Sequence, residues 1–303
     1  MAGGERLDRY LVRTGLAASR RQARELLASG RVRVNGRILT KGEAVQPSDR
    51  VEVEQAREGP VLKPNPEIPL AVLFEDPAML VVNKPGLLPC HPIRRDERAT
   101  LMNAVVARYP ETADAGDKPL EGGLVHRLDN GTSGALIIAR NPASFAFLRS
   151  AIRGGRIERR YLALVSGRPG ATLELSLPIA HDPKNRRKMI VVHERERGAH
   201  AARPALTVVE TIRRVGASTL VQVTPKSGMR HQIRAHLSDA GLPLMGDELY
   251  GGPPLAGLPP GRFFLHLNAM RFQSPAGGEF AIEAPLPSDL IDALAAMGDR
   301  AMR

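Results

Sequence analysis

A proline-rich segment is the feature that most limits how this chain can fold. Residues 55–69, QAREGPVLKPNPEIP, contain four prolines within ten positions. Because proline fixes its own backbone dihedral and donates no hydrogen bond, neither a helix nor a central strand is expected to run through this segment. We therefore predict a small module over residues 1–57 and a larger domain over residues 70–303. A proline-rich linker, residues 58–69, joins them.

The first unit has the pattern of two helices followed by a hairpin. Apolar residues at helical spacing predict a helix over residues 7–14, and Ser19 is a typical N-cap for a second helix over residues 20–29. Asn35-Gly36 lies between alternating apolar and basic residues, which predicts a two-residue hairpin turn. A further alternating stretch over residues 50–54 predicts another strand.

The charge of the chain favours a polyanionic partner. The net charge is +11, and residues 1–57 hold twelve Lys and Arg against seven Asp and Glu. Such a cluster is typical of phosphate binding, although an arginine-rich background composition or a helix kept soluble by arginine would give a similar count. The candidate RNA contacts in this unit are Arg20, Arg21, Arg24, Arg31 and Arg33.

The first unit also resembles a known RNA-binding module. The run RLDRYLVRTGLAASRRQARELLASGRVRVNGR is similar to the module named after ribosomal small-subunit protein four, and the similarity covers nearly all of residues 5–54. That resemblance implies a small α/β module that binds structured RNA.

The larger unit mixes strand and helix patterns without strict alternation. Buried strands are predicted over residues 70–74, 79–83, 134–139, 160–166, 205–209 and 220–224, and helices over residues 142–153 and 232–239. Strands outnumber helices. We therefore predict an α+β domain with a mixed, mainly antiparallel central sheet flanked by helices and loops.

The stretch HRLDNGTSG, residues 126–134, holds the candidate catalytic carboxylate. Asp129 lies in a turn rich in Gly, Asn, Thr and Ser, directly before an apolar strand. Such a turn can present a side chain at the edge of a sheet. Taken alone, Asp129-Asn130-Gly131 is equally compatible with an Asx turn that has only a structural role.

Several motifs in the same order resemble the RluA-type RNA pseudouridine synthases over roughly residues 70–285. These are HRLDNGTSG, the early Asn83-Lys84-Pro85-Gly86 with His91-Pro92, the strand RYLALVSG at 160–167, GMRHQIRAHL at 228–237, Gly246-Asp247 with Tyr250-Gly251, and the late FLHL at 264–267. The resemblance implies an isomerase that uses one aspartate and neither cofactor nor metal. One departure is visible: at Met229-Arg230 the family has Arg-Thr, which puts the contacts of Arg230 in doubt.

The resemblance assigns catalytic roles to three residues. Asp129 would attack the sugar, add to the base or remove a sugar proton, and the sequence leaves these alternatives open. Each role needs a charged carboxylate in a largely dry pocket, where a neighbouring cation must stabilise it. Arg234 is the candidate cation, although it could also be a surface residue. Tyr161 is the candidate for stacking on uracil, and ordinary strand packing is the alternative.

Further residues are candidate substrate contacts. The resemblance implies that Arg127 fills the space left by an extruded nucleotide, unless it is simply exposed on a turn. His126 and Thr132 belong to the same motif, and Arg230 is a further candidate contact to RNA. Lys84 is a weaker candidate for a phosphate contact, with a solvated loop lysine as the alternative. The basic segment 181–204 is expected to be a mobile loop that contacts RNA, with a disordered polar insert as the alternative.

Other classes of protein fit the sequence less well. The histidines lack the spacing of a zinc helix, no P-loop occurs, and no second carboxylate suggests a glycosidase. A single cysteine and the absence of a signal-peptide core or apolar span lead us to expect a cytoplasmic monomer without a membrane partner. The substrate implied by the resemblance is ribosomal RNA, with transfer RNA as an alternative. A non-catalytic RNA-binding or ribosome-assembly factor remains the competing class.

Overall fold

The computed structural model describes residues 4–17, 19–39, 43–46, 48–53, 61–194 and 201–299. The chain divides into two compact units, Met1–Gly59 and Pro60–Arg303. Across the described ranges, no helix combines the length and apolar character that a membrane crossing needs.

The first unit contains both predicted helices and the predicted hairpin. Its elements are β1 Glu5–Arg6, α1 Leu7–Arg13, α2 Arg20–Ala28, β2 Val32–Val34, β3 Arg37–Ile38, β4 Ala44–Val45 and β5 Val51–Val53. The Ser19 hydroxyl accepts a hydrogen bond from the Gln22 N–H, as expected for an N-cap. The strands form the sheets β3-β2-β5 and β1-β4. The last residue of the predicted strand over 50–54 lies outside the described residues.

Besides short 3-10 helices such as Pro110–Asp114 and Glu248–Tyr250, the second unit has fifteen α-helices and strands within the described residues. They are β6 Val72–Glu75, β7 Met79–Lys84, α3 Leu101–Arg108, β8 Ser133–Ala139, α4 Pro142–Arg153, β9 Glu158–Ser166, β10 Thr172–Leu175, β11 Ile179–His181, β12 Met189–Val191, β13 Thr207–Val215, β14 Ser218–Pro225, α5 Gln232–Asp239, β15 Leu265–Gln273, β16 Glu279–Glu283 and α6 Ser288–Ala296.

A nine-stranded sheet forms the centre of this unit, in the order β10-β13-β14-β9-β15-β8-β7-β6, with β16 paired to β15. Every pairing in it is antiparallel except that of β8 with β15. The predicted α+β class is therefore confirmed. Gly134 makes the parallel pairing possible, because its φ is +123° and a Cβ there would lie 2.3 Å from the Leu267 carbonyl oxygen.

The core lies against the faces of this sheet. All residues of β8 are buried, and α4 packs its apolar side, including Phe145 and Leu148, into the same cluster. Asn141 caps α4 by accepting a hydrogen bond from the Ser144 N–H, and Pro142 occupies the first turn. The sheet is thus a rigid base for the turn that precedes β8.

Part of the proline-rich segment packs on the second unit. Leu62 is only 3% exposed and belongs to the main core cluster. The Asn65 N–H donates to the Asn103 carbonyl at 2.9 Å, and the Asn103 side chain donates to the Lys63 carbonyl at 2.7 Å. Residues 62–65 of the proline-rich segment are therefore packed and hydrogen-bonded against the second unit. The division into module, linker and domain at residues 57/58 and 69/70 stays a prediction.

The structure differs from the prediction for the basic segment 181–204. Strands β11 and β12 pair from Ile179↔Val191 to His181↔Met189, so the first part of the segment belongs to a hairpin rather than to an irregular loop. Its mobility and its contact with RNA stay predictions. The Asp182 carboxylate accepts hydrogen bonds from two backbone N–H groups in the connecting turn. This local capping explains the order that the charge pattern alone did not predict. Arg195 and Arg197 lie outside the described residues.

Candidate active site

The turn before β8 is held rigidly by hydrogen bonds to its backbone. Four successive carbonyls, those of residues 128–131, accept hydrogen bonds. The Leu128 carbonyl accepts from Cys90 Sγ at 3.2 Å, and the Asp129 carbonyl accepts from the Thr132 N–H at 3.0 Å. The Asn130 carbonyl accepts from the Leu87 N–H at 2.7 Å and from Lys84 Nζ at 3.3 Å. The Gly131 carbonyl accepts from Arg262 Nη1 at 2.6 Å. Because the backbone is fixed on both sides of Asp129, its carboxylate has a defined position.

Arg234 joins Asp129 to a second, more deeply buried carboxylate. Its Nη1 lies 3.0 Å from Oδ2 of Asp129. Its Nε and Nη2 bind the two oxygens of Asp247 at 2.7 and 2.8 Å. The side chain of Asp247 is 1% exposed and that of Asp129 is 25% exposed. The bidentate pair with Asp247 therefore anchors the guanidinium, and the third nitrogen is left to stabilise a charged Asp129.

Two aromatic rings complete the environment of Arg234. The guanidinium carbon lies 4.8 Å from the centre of the Tyr250 ring and 4.4 Å from that of Phe263. Burial alone would lower the pKa of Arg234, but the hydrogen bond and charge of Asp247, together with Asp129, raise it above its usual value. Arg234 is therefore a permanent cation, and its planar guanidinium is hydrogen-bonded to both carboxylates at once.

His231 lies on the other side of Asp129 and is neutral near pH 7. Burial lowers its pKa to about 4, against the opposing charge of Asp129. Its Nδ1 is 3.0 Å from the Tyr250 hydroxyl, which itself accepts a hydrogen bond from the Met189 N–H. Burial raises the pKa of Tyr250 to about 12, so its hydroxyl carries a proton that it can donate to Nδ1. In that arrangement the ring proton of His231 is on Nε2, 3.7 Å from Oδ2 of Asp129.

A cleft opens in front of the carboxylate and brings most of the predicted catalytic residues together. Its volume is about 80 Å³, and its lining includes Asp129, Arg234, Tyr161, Arg127 and Thr132. Tyr161, on β9, is 7% exposed, and burial raises its pKa, so the phenol is neutral. Arg127 is exposed, with Nη1 3.3 Å from Nε2 of His91. The carboxylate of Asp129, the aromatic ring of Tyr161 and the long, exposed side chain of Arg127 thus line one cleft.

Lys84 is not brought to the cleft surface. It is fully buried, and its Nζ donates to the carbonyls of Pro85, Leu88 and Asn130 at 2.8, 2.9 and 3.3 Å. Burial lowers its pKa to about 8. Lys84 therefore fastens the loop after β7 to the Asp129 turn, and a phosphate contact would require these three bonds to break.

His126 and Arg230 also have protein partners. His126 is buried, and its Nε2 accepts a hydrogen bond from the Ile137 N–H at 3.2 Å. Burial, with the charges of Arg159 and Arg149, lowers its pKa to about 3, so the ring is neutral. Arg230 is exposed and donates to the carbonyls of residues 186 and 187 at 3.3 and 3.1 Å. It therefore ties the loop before α5 to the basic hairpin turn.

The predicted RNA contacts of the first unit are mostly exposed. Arg20, Arg21 and Arg24 are exposed on α2, while the buried Ala23 and Leu27 of that helix face the core. Arg33 is exposed on β2, and Arg31 is half-buried. The guanidinium groups of α2 thus lie on one solvent face, where an anionic ligand can reach them.

Sequence reasoning gave no role to three residues that the structure places at or behind the site. Asp247 and Tyr250 were visible within the Gly-Asp and Tyr-Gly motifs, but their contact with Arg234 was not predictable from spacing. Arg159 lines the cleft two residues before Tyr161, and its Nε is buried without a hydrogen-bond partner in the described structure. Its position next to the motif strand was the only available signal.

The described residues contain no group of three or more His, Cys, Asp or Glu side chains placed to hold a metal ion.

Comparisons with known proteins identify the family of each unit. Residues 78–239 match the family model of RNA pseudouridylate synthases, and residues 5–51 match that of the S4 domain. A Chloroflexus aurantiacus protein named an uncharacterized RNA pseudouridine synthase is 37% identical over 307 residues, which cover 98% of this chain and 91% of that protein.

Two further relatives extend the comparison. Ribosomal large subunit pseudouridine synthase D of Salmonella typhimurium is 31% identical over 309 residues, covering 97% of this chain and 91% of that protein. The solved structure of human RNA pseudouridylate synthase domain containing 1 has 27% sequence identity and a TM-score of 0.58, and covers 74% of this chain and 87% of that one.

Proposed function

This chain belongs to the RluA-type family of RNA pseudouridine synthases, which are isomerases, and we propose that it converts specific uridines of large-subunit ribosomal RNA by catalysis at Asp129. The observation that carries the proposal is the carboxylate of Asp129, held 3.0 Å from Arg234 at the edge of a cleft. In this reaction the bond from the ring nitrogen of uracil to ribose breaks, and the base is rejoined through a ring carbon. No external group is consumed.

The surroundings of Asp129 support a role for its charged form. Arg234 stabilises the negative charge, and Nε2 of the neutral His231 lies 3.7 Å from the same oxygen. The carboxylate is still a quarter exposed, on the side of the cleft. A charged oxygen that is partly desolvated and open on one side is suited to attack a sugar or a base, or to accept a proton.

The cleft also supports extrusion of the target nucleotide. A base within a stacked RNA cannot bring its sugar bond to a carboxylate that lines a cleft, so the nucleotide must rotate out. Tyr161 offers a neutral aromatic ring for contact with uracil. Arg127 is exposed at the rim, where its planar guanidinium can occupy the vacated position in the RNA stack.

Large-subunit ribosomal RNA is the substrate that the relatives favour. Two curated relatives, whose alignments each cover 97% of this chain, are named for the large ribosomal subunit. The S4-type unit and its exposed arginines support binding to structured RNA. We therefore propose that the first unit holds ribosomal RNA through its phosphates while the second unit carries out the reaction.

Incubation with unmodified transcripts tests the substrate. We expect pseudouridine at one or a few uridines of large-subunit ribosomal RNA, and none in transfer RNA, when the products are mapped chemically at single-nucleotide resolution. Modification confined to transfer RNA would show that the substrate assignment is wrong. Absence of product in both RNAs, with binding intact, would favour a non-catalytic RNA-binding factor.

Neutralising the arginines of α2 tests the RNA-binding role of the first unit. In the triple variant Arg20→Gln, Arg21→Gln and Arg24→Gln, the slope of log K against log salt should become smaller in magnitude by about 2 to 3, since each phosphate contact contributes roughly 0.9. Affinity should be measured by filter binding over a range of salt concentrations.

The matched control changes three exposed arginines of the second unit that do not line the catalytic cleft, namely Arg168, Arg214 and Arg271. It removes the same total charge. An equal loss of slope in both triple variants would mean that general charge, rather than the surface of α2, determines RNA affinity.

A further inference from the structure

We propose that Arg262 is a positioning residue for Asp129, and that the C-terminal helix α6 acts on the active site through it. This inference rests on the proposed catalytic role of Asp129. It assigns a function to a side chain that lies outside the cleft and to a helix that no motif of the family resemblance included.

Arg262 is the largest side chain that is fully buried in the described structure. Its Nη1 donates to the Gly131 carbonyl at 2.6 Å and to the Phe263 carbonyl at 2.9 Å, and its Nη2 donates to the Ser133 hydroxyl at 3.0 Å. Gly131 and Ser133 lie two and four residues after Asp129 in the same turn. One guanidinium therefore fixes both the turn and the first residue of β8.

A second motif segment is packed directly against this guanidinium. A Cβ on Gly86 would lie only 2.3 Å from Nε and 2.8 Å from Cζ of Arg262, so glycine is needed to leave space for the charged group. The neighbouring Leu87 N–H donates to the Asn130 carbonyl. The loop after β7 and the Asp129 turn thus meet at Arg262, and its position sets the distance between them.

A chain of directed hydrogen bonds continues from Arg262 into the sheet. The Ser133 hydroxyl accepts from Arg262 and lies 2.9 Å from Nδ1 of His266, whose Nε2 lies 3.1 Å from the Ala284 carbonyl. Burial lowers the pKa of His266 to about 4, so the ring is neutral. Its single ring proton must be on Nε2, facing the carbonyl, and Nδ1 accepts from Ser133. Every member of this buried network has a partner.

The outer end of the network is an ion pair with α6. Nε of Arg262 lies 2.6 Å from Oδ2 of Asp289, in the first turn of α6. The helix is itself fixed to the unit, because Leu290 and Leu294 are fully buried in a cluster with Phe264. Because Asp289 binds Nε of Arg262, the two Nη atoms face the Asp129 turn and donate to it.

Two variants of the C-terminal region separate positioning from general stability. Asp289→Asn removes the charge that orients Arg262 and leaves the guanidinium with its carbonyl acceptors. Asp299→Asn is the matched control, because Asp299 also fastens the end of the chain to the sheet, through a contact of 2.8 Å with Arg213 on β13. Neither carboxylate lines the cleft.

We expect the single-turnover rate of Asp289→Asn to fall about tenfold, and that of Arg262→Lys about 100-fold, as a misplacement of about 1 Å would produce. RNA affinity should be unchanged in both. The rates are measured with enzyme in excess over RNA, well below the melting temperature of each variant. Asp299→Asn should lower the melting temperature and leave the rate at the wild-type value.

A wild-type rate for folded Asp289→Asn, or an equal fall in both aspartate variants, would overturn the positioning role. Because Arg262→Lys can fail to fold, the comparison of the two aspartate variants decides the matter. Failure of the underlying function is distinguishable: in that case Asp129→Asn would retain activity, whereas a failure confined to Arg262 leaves Asp129→Asn inactive.

Discussion

Replacement of Asp129 by asparagine is expected to abolish pseudouridine formation, with a fall in single-turnover rate of roughly four orders of magnitude, as for other essential catalytic carboxylates. Asparagine has the same shape but carries no charge, so it cannot attack a sugar or base or accept a proton as the carboxylate does. The rate of pseudouridine formation at the target uridine is measured with saturating enzyme. This fall in rate is the largest effect that we expect from a single substitution.

The same variant provides its own control for folding and binding. Arg234 keeps both hydrogen bonds to Asp247, so the guanidinium stays in place, and the side chain at position 129 remains partly exposed. RNA affinity and melting temperature should therefore stay close to the wild-type values. Product formation at an appreciable rate by Asp129→Asn would show that a different group performs the reaction.

Replacement of Arg234 by methionine is expected to reduce both stability and rate. Asp247 is 1% exposed, and loss of its bidentate partner leaves a buried charge without compensation. Breaking a buried pair in this way costs about 3–5 kcal/mol in the free energy of unfolding. Asp129 loses its nearest cation at the same time, so the chemical step should also slow. Denaturant unfolding and single-turnover kinetics measure the two effects.

The double variant Arg234→Met with Asp247→Asn separates these effects. It removes the uncompensated buried charge, so much of the lost stability should return. The rate should remain low, because Asp129 still lacks a guanidinium. If the rate returned together with stability, Arg234 would matter for folding alone, and the stabilising cation for Asp129 would have to be sought elsewhere.

Local sequence was sufficient for many of the helices and strands. Ser19 was recognisable as a helix cap because capping depends on residues three positions apart. The buried strand β8 was visible as a continuous apolar run after the HRLDNGTSG turn. The prediction missed the helices α3 and α6, the strands β10, β15 and β16, and the hairpin of β11 and β12. The two strands of that hairpin are only three residues each, and the charge of the turn between them led us to predict a loop.

The amino-acid pattern alone was enough to predict the RNA-binding module, the α+β class of the larger unit and, through ordered motifs, the position of the candidate carboxylate. Which charged residues face the cleft depends on the three-dimensional packing of the chain. Lys84 and Arg262 are charged residues of types that usually lie at the surface, yet both are buried. Backbone carbonyls satisfy their donors, among them those of Asn130 and Gly131 in a turn far away in the chain. Arg234 reaches Asp129 across 105 positions. Burial and partner choice depend on which distant segments the sheet brings together, and no local pattern encodes that proximity.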